Sequence, residues 1–353
     1  MSWEIVRLGD ILNYEQPTNY IVESDSYDNS YPTPVLTAGK SFILGYTNES
    51  NGVYNNLPAI IFDDFTTVSK YVDFKFKVKS SAMKILTCDT KRANLRFLYY
   101  LLQTINFDSE QHKRYWISTY ANFEIQLPPL ETQKRIADIL DAADALRQKD
   151  QELLKKYDEL AQAIFIDMFG DPVKNEKGWD VKSISEIVQS EDHLRIPIES
   201  SIREGRKGAF AYYGASGIID YVDDFIFEGK RLLIGEDGAN LLARSTPIAF
   251  IADGKYWVNN HAHVLNSTNK ALLSYLMFWF NSISLVPYIT GSAQPKLNGS
   301  KLMNIKVPVP EHTIINNFEK IIENINITKG KELKSKSLFD SLLQKAFKGE
   351  LVA

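Results

Sequence analysis

The chain has 353 residues, 44% hydrophobic and 24% charged, with a formal net charge of −4. That composition is ordinary for a globular protein with room for two domains or a little more, and its acidic balance argues against indiscriminate coating of nucleic acid. The single cysteine, Cys88, excludes an internal disulfide framework and fits a reducing compartment. No signal-peptide pattern opens the chain, and the longest apolar run, Leu272 to Phe280, is too short for a bilayer, so a cytoplasmic protein without a membrane partner is expected.

Residues 3–11, WEIVRLGDI, open the first half and recur as WDVKSISEI at 179–187. Short apolar runs split by Gly, Asn and Asp then predict strands at Val35–Thr37, Phe42–Leu44, Ala59–Phe62, Phe74–Val78 and Met83–Leu86. A short helix over Asn94–Ile105 and a polar segment, Tyr115–Phe123, lead to an extended stretch closed by Pro128-Pro129. From Leu130 to Phe169 there is neither Pro nor Gly. Apolar or small residues fall at Ile136, Ile139, Ala143, Leu146, Leu153, Tyr157, Leu160 and Ile164, in steps of three and four broken only at Asp150. This heptad spacing predicts one helix of roughly 50 Å that buries a narrow seam against another helix. Gly170-Asp171-Pro172 ends it.

The second half repeats this order, with strands predicted at Ala211–Tyr213, Ile218–Ile219, Leu232–Ile234, Ile248–Ile251 and His263–Leu265. A helix over Lys270–Ser282, a polar segment at Tyr288–Ser300 and the proline-bearing Ile305–Pro310 follow. A shift of 182 positions (318 minus 136) lays Phe318 on Ile136, Ile321 on Ile139, Phe339 on Tyr157 and Phe347 on Phe165, and Glu332 repeats the acidic break at Asp150. The chain therefore reads as a duplication. The expected fold class is α+β: two mixed β-rich domains, 1–129 and 171–309, separated by long helices at 130–170 and 310–353 that pair antiparallel as a coiled coil, with a pseudo-two-fold internal repeat. Such pairing would throw the two heads to opposite ends. That geometry suits a two-part target such as duplex DNA, whose half-sites lie about 34–36 Å apart. Charge is distributed unevenly, with eleven Lys and Arg against eight Asp and Glu over 30–125, six against nine over 131–170, and eleven against eleven over 190–305.

Enzyme signatures are mostly missing. Gly39-Lys40-Ser41 lacks the earlier glycine of a phosphate cradle, no Gly-x-Gly-x-x-Gly follows a strand, and Leu127-Pro128-Pro129-Leu130 lacks the amide and aromatic of an amino-methyltransferase loop. Asp220, Glu228 and Lys230 have the spacing of a Mg²⁺-dependent nuclease, although acids beside a lysine are common in turns. His261 and His263 alternate as on one strand face; with no further His or Cys nearby, hydrogen bonding or packing is the simpler role than metal binding. Cys88 reads as an inert core thiol. The polar loops Gly235–Asn240 and Gly291–Lys296 combine glycines, amides and cations suited to base edges or phosphates, and Phe62–Thr67 and Ser118–Asn122 are read as their counterparts in the first half. Each of these is also an ordinary turn taken alone.

Together these residues resemble the specificity (S) subunits of type I restriction-modification systems. The likeness is carried by Leu127-Pro128-Pro129-Leu130 with Gln133-Lys134-Arg135-Ile136-Ala137, by Gly214–Ile219, by the 233–240 loop and by Asn259-Asn260-His261-Ala262-His263. Gln294-Pro295-Lys296-Leu297 and the closing Gln344–Leu351 complete it, so it spans essentially the whole chain. The resemblance implies two target recognition domains, each reading half of an asymmetric bipartite DNA site. It also implies helices that dock two modification (M) subunits holding S-adenosylmethionine, and restriction (R) subunits that use ATP and Mg. The chain itself would hold no cofactor or metal and catalyse nothing. The second helix departs from the pattern: Glu311–Asn317 lacks the Gln-Lys-Arg of the first, and Glu332 and Ser335 make its seam polar.

The DNA-facing residues expected in the first head are Lys40, Ser41, Tyr46, Lys70, Ser118, Thr119 and Asn122. In the second they are Ser216, Asp237, Asn240, Arg244, His261, Gln294 and Lys296. The rival readings are a stand-alone nuclease, which would cut plasmid with Mg²⁺ alone, and a protein-only coiled-coil adaptor, which would retain no DNA. Gln294→Ala is expected to relax one half-site at a cost of about 1–3 kcal/mol, whereas Lys70→Ala should weaken binding to all sequences and flatten the salt slope by roughly one unit. Titrations of both variants at several salt concentrations check this.

Overall fold

The computed structural model describes residues 3–37, 41–105, 115–291, 294–332 and 334–351, and the chain divides into two compact units, 1–151 with 333–353, and 152–332. The first unit opens with β1 (Glu4–Arg7), α1 (Leu8–Ile11) and β2 (Leu12–Glu15). Next come β3 (Thr33–Leu36), β4 (Ile43–Thr47), β5 (Ala59–Asp63), β6 (Ser69–Val72), β7 (Lys77–Val78) and β8 (Met83–Cys88). Then follow α2 (Leu95–Leu102), α3 (Tyr115–Ser118), β9 (Glu124–Leu127) and the 40-residue α4 (Leu130–Phe169), whose second half belongs to the other unit.

That unit continues with β10 (Asp180–Ser183), α5 (Ile184–Ile187), β11 (Gln189–Ser190), α6 (Ser200–Glu204), β12 (Lys207–Gly214) and β13 (Gly217–Val222). After these lie β14 (Phe227–Glu228), β15 (Arg231–Gly235), α7 (Asn240–Ala243), β16 (Ala249–Ala252), β17 (Lys255–Val258) and β18 (Ala262–Asn266). It closes with α8 (Lys270–Ser282), α9 (Gly299–Asn304), β19 (Lys306–Val309) and α10 (His312–Glu332), while α11 (Lys334–Phe347) returns to the first unit.

The duplication holds in topology, with one extra edge strand, β14, in the second unit. One sheet has the order β2-β8-β5-β6 in the first unit and β11-β18-β15-β16 in the second. A second sheet has the order β4-β3-β7 against β13-β12-β17-β14, and a two-stranded ribbon pairs β1 with β9 and β10 with β19. Even the exceptions recur. The pairs β3–β7 and β12–β17 are parallel, and both hairpins carry an irregularity at the same register, beside Leu36↔Ile43 and Tyr213↔Ile218. In each unit the middle of the central strand is apolar, Ile60-Ile61-Phe62 and Leu232-Leu233-Ile234, because both of its faces are covered there.

The helices bury broader faces than the predicted seam. In the first unit Ile136, Leu140 and Ala143 of α4 are buried with α2 and α11, and Arg147 lies over the Phe339 ring at 5.0 Å. In the second, Phe165 and Phe169 enter an aromatic cluster with Tyr275, Phe278 and Phe318 at centroid distances of 4.9 to 5.8 Å. There α4 and α10 run antiparallel, since Asp158 meets Lys329 while Phe165 meets Phe318. Leu146 and Leu160, expected in the seam, are 45% and 46% exposed. No residue from Asp144 to Leu160 is fully buried, because each unit covers only its own end of the helix.

Gln133 is fully buried and pins the start of α4, accepting from Asn94 N at 2.8 Å and donating to Pro128 O at 2.8 Å. Its counterpart, Ile315 (133 plus 182), is equally buried, so the missing glutamine in the second helix exchanges a hydrogen-bonded pin for an apolar one. Ser335 is buried, whereas the side chain of Glu332 lies outside the described residues. Phe165→Ala should destabilise the second unit by about 3–5 kcal/mol, and Leu160→Ala should stay within about 0.5 kcal/mol. Denaturant unfolding of the purified chain compares them.

Candidate nucleic-acid interface

Four segments converge beyond the end of β15 in the second unit. A side chain at Gly235 would meet Ala215 O at 2.8 Å, which places the Ser216 turn close against this strand end. Glu236 N donates to His261 O at 2.8 Å, Gly238 N to Pro295 O at 3.1 Å, and Asp237 bridges to Lys296. The frame thus brings together Ser216, Asp237, His261, Gln294 and Lys296, five of the expected residues. His261 is exposed, its Nδ1 lies 2.9 Å from both Asp237 oxygens, and Asn259 Oδ1 accepts its backbone N–H.

Beneath this surface is an ion network that the sequence did not reveal. Glu236 Oε2 takes Arg195 Nη1 at 2.7 Å and its Oε1 takes Lys296 Nζ at 3.1 Å. Arg195 also donates to Ala262 O at 2.7 Å. Buried His263 spends both nitrogens, one with Asp192 Oδ2 at 2.6 Å and the other with Leu297 O at 2.7 Å, which is a hydrogen-bonding role. Asp192, Glu236 and His263 are close enough together to resemble a metal site, but the Arg195 guanidinium already supplies the cation among them. Burial alone would raise both carboxyls. For Asp192 the bond and charge of His263, the Val264 N–H and Arg195 outweigh it; for Glu236 the bonds from Arg195 and Lys296 and the charge of His263 do so. Both therefore stand below ordinary carboxylate values.

Two expected readers have internal duties instead. The Arg244 guanidinium donates to Phe280 O and Ile283 O at 3.3 and 2.8 Å, fastening the end of α8, and burial lowers its pKa. The Asn240 side chain closes its own turn, donating to Thr246 O and accepting from Ser245 Oγ and Thr246 N. The nuclease triad is dispersed. Asp220 is held by Arg203 and Lys207, Lys230 pairs with Glu319 and Ser274, and Glu228 is exposed in β14. Cys88 donates to Ala93 O, and burial pushes its thiol up to about 11, as an unreactive thiol requires.

In the first unit Ser41 and Lys70 are exposed, Lys70 on the edge strand β6, and Tyr46 is half-buried in β4 opposite Pro34. Lys40 lies outside the described residues. Register corrects one expected equivalence. Phe62↔Lys84 matches Ile234↔His263, and Asp64 O accepts from Tyr115 N as Glu236 O accepts from Leu297 N. Positions 118–122 therefore correspond to 300–304, not to the Gly291–Lys296 loop, whose counterpart falls within residues 106–114, outside the described set. Ser118, Thr119 and Asn122 are joined locally, Ser118 Oγ to Thr119 Oγ1 at 3.3 Å and Asn122 Nδ2 to Ile117 O at 3.4 Å.

One frame used twice, with polar loops of unlike sequence following its central strand and, in the second unit, gathered at that strand's end, defines a recognition scaffold. A family model described as "Type I restriction modification DNA specificity domain" matches residues 1–156 and 176–335. The type I restriction enzyme EcoR124I/EcoR124II specificity subunit of Escherichia coli is 34% identical, over 91% of this chain and 85% of that one. The MjaVIII specificity subunit of Methanocaldococcus jannaschii is 23% identical, over 94% and 88%. The fold is also that of the S subunit from M. genitalium, with a TM-score of 0.65 at 16% identity over 98% and 96% of the two chains. The chain belongs to the family of type I restriction-modification specificity subunits, which are DNA-recognition rather than catalytic components.

Because the folded values of Asp192 and Glu236 are depressed, their contribution to stability is complete above the unfolded carboxylate range. It is lost as pH falls through about 4 and below. The second unit should therefore melt at lower temperature on acidification from pH 6 to 3.5, and less steeply so in a Glu236→Gln variant. Thermal scans across that range test the point.

Proposed function

We propose that each unit reads one half of an asymmetric bipartite DNA site, that the helices dock two modification subunits, and that restriction subunits join that assembly. S-adenosylmethionine then belongs to the modification partner, and ATP and Mg to the restriction partner. The observation that carries this reading is the repeated frame with unlike loops at one strand end, since different loops on one scaffold give different base preferences. Ser216, His261, Gln294 and Lys296 are the base-facing set in the second unit, with Asp237 orienting His261. Ser41 and Lys70 take part in the first. The domain limits proposed are 1–129 and 171–309 for the readers and 130–170 and 310–353 for the helices.

A groove of about 1060 Å³ in the first unit supports the docking role. It is lined by Trp3, Pro128, Pro129 and the start of α4, with four cations, Lys91, Arg92, Arg135 and Lys348, against one acid, Glu4, around it. From the Leu127–Ala137 motif its walls take Leu127–Leu130, Thr132 and Arg135. We assign it to the modification partner, whose contacting surface would then be acidic. Arg135 is exposed, so Arg135→Glu should leave the fold intact and weaken capture of that partner about tenfold or more, charge reversal being a several-kcal/mol mismatch at an interface. Co-purification and a map of methylated adenines with and without this gene test both parts. Capture at wild-type affinity rejects the groove, and an unchanged methylation map rejects the function.

A further inference from the structure

Two buried carboxylates occupy the same place in the repeat, and the second lies beneath the reading surface of its unit. Asp64 is the first residue after β5, and Glu236 is the first after β15. Each ties three segments together. Through its backbone N–H the acid holds the edge of the neighbouring strand, at Ala82 O (3.1 Å) and His261 O (2.8 Å). Through its backbone C=O it holds the incoming third segment, at Tyr115 N (3.0 Å) and Leu297 N (2.8 Å). Its carboxylate then locks the arrangement. Asp64 accepts from Trp116 N at 2.8 Å and faces the Lys84 ammonium at 3.0 Å, while Glu236 faces Arg195, Lys296 and, at 3.6 Å, His263.

Both acids are buried, and Lys84 is 1% exposed with Asp64 as its salt-bridge partner among the described residues. A buried charge that loses its partner is strongly unfavourable, so these segments cannot shift without separating the pair. The segments so fixed include every clustered reader of the second unit except Ser216: Asp237 follows Glu236 directly, His261 is bonded to its N–H, and Lys296 to its carboxylate. Neither carboxylate is needed to build the sheets, whose ladders end one residue earlier.

We infer that Asp64 and Glu236 are positioning residues that set base discrimination, each for its own half-site, without touching DNA. This rests on the proposal that each unit reads half of the site. The difference between the copies has a chemical consequence. In the first unit the carboxylate is closed off by a buried lysine, so discrimination there depends on loop position alone. In the second the same carboxylate also fixes Lys296, whose side chain is 48% exposed, and so orients a cation on the reading surface.

The test uses the full subunit assembled with its modification partner, selecting bound sequences from a pool of randomised DNA duplexes. Glu236→Gln should lower discrimination at one half-site at least tenfold and leave the other half-site, non-specific duplex affinity and its salt slope unchanged. Asp64→Asn combined with Lys84→Met, so that no buried charge is left without its partner, should do the same at the opposite half-site. Arg195→Lys, which keeps the carboxylate and a positive charge, should keep most of the discrimination that Glu236→Gln loses; if Glu236→Gln does not fold, Arg195→Leu takes its place and is read in the same way. Unchanged preferences, or equal loss at both half-sites, overturn the inference while leaving the bipartite reading standing. A wild-type complex that selects no bipartite sequence overturns that reading and this inference with it.

Discussion

An amphipathic helix does not hold a position by itself; it has to be gripped at its apolar faces. Here the grip is aromatic and aliphatic packing at the two ends of α4, with Ile136, Leu140 and Ala143 buried in one unit and Phe165 and Phe169 in the other. The helix-side core of each unit is built out from that contact. The ribbon of β1 with β9, or β10 with β19, adjoins the helix, α2 or α8 covers the sheet centred on β5 or β15, and the loops follow the end of that strand. Apolar burial supplies the stability, and the polar groups supply register and direction.

The duplication was legible because buried and half-buried positions repeat their chemistry. Phe347 falls on Phe165 and Trp179 on Trp3, so hydrophobic spacing alone aligned the two halves and predicted the long helix. The width of the buried face was not legible. A heptad seam and a broader face share the same three-and-four steps, and only the covering elements decide whether Leu146 and Leu160 are enclosed. The strands β6 and β17 were missed for a similar reason. Ser69-Lys70-Tyr71-Val72 is an edge strand that pairs a polar with an apolar residue on each face, and Lys255-Tyr256-Trp257-Val258 follows a turn without strict alternation.

The site was legible in part. Glycines and amides marked Gly235–Asn240 and Gly291–Lys296 as loops, and five of the chosen residues do meet there. Arg244 and Asn240 misled because an exposed turn and a capping turn have the same composition; what separates them is the set of carbonyls within reach, which the fold alone provides. Arg195 gave no signal, standing 41 positions from its partner Glu236. In the first unit 118–122 do not match the 291–296 loop because the connecting loops differ in length, the shift between repeats growing from 172 (234 minus 62) to 179 (263 minus 84) and 182 (297 minus 115) along the chain.

In both units the frame holds its third segment through main-chain groups, amide to carbonyl, at Tyr115 and Leu297. Such bonds are indifferent to the side chain borne by either partner. Stretches projecting beyond them can therefore accumulate substitutions, insertions and deletions at little thermodynamic penalty, which opens a route by which one ancestral body acquires many vocabularies while its architecture stays fixed.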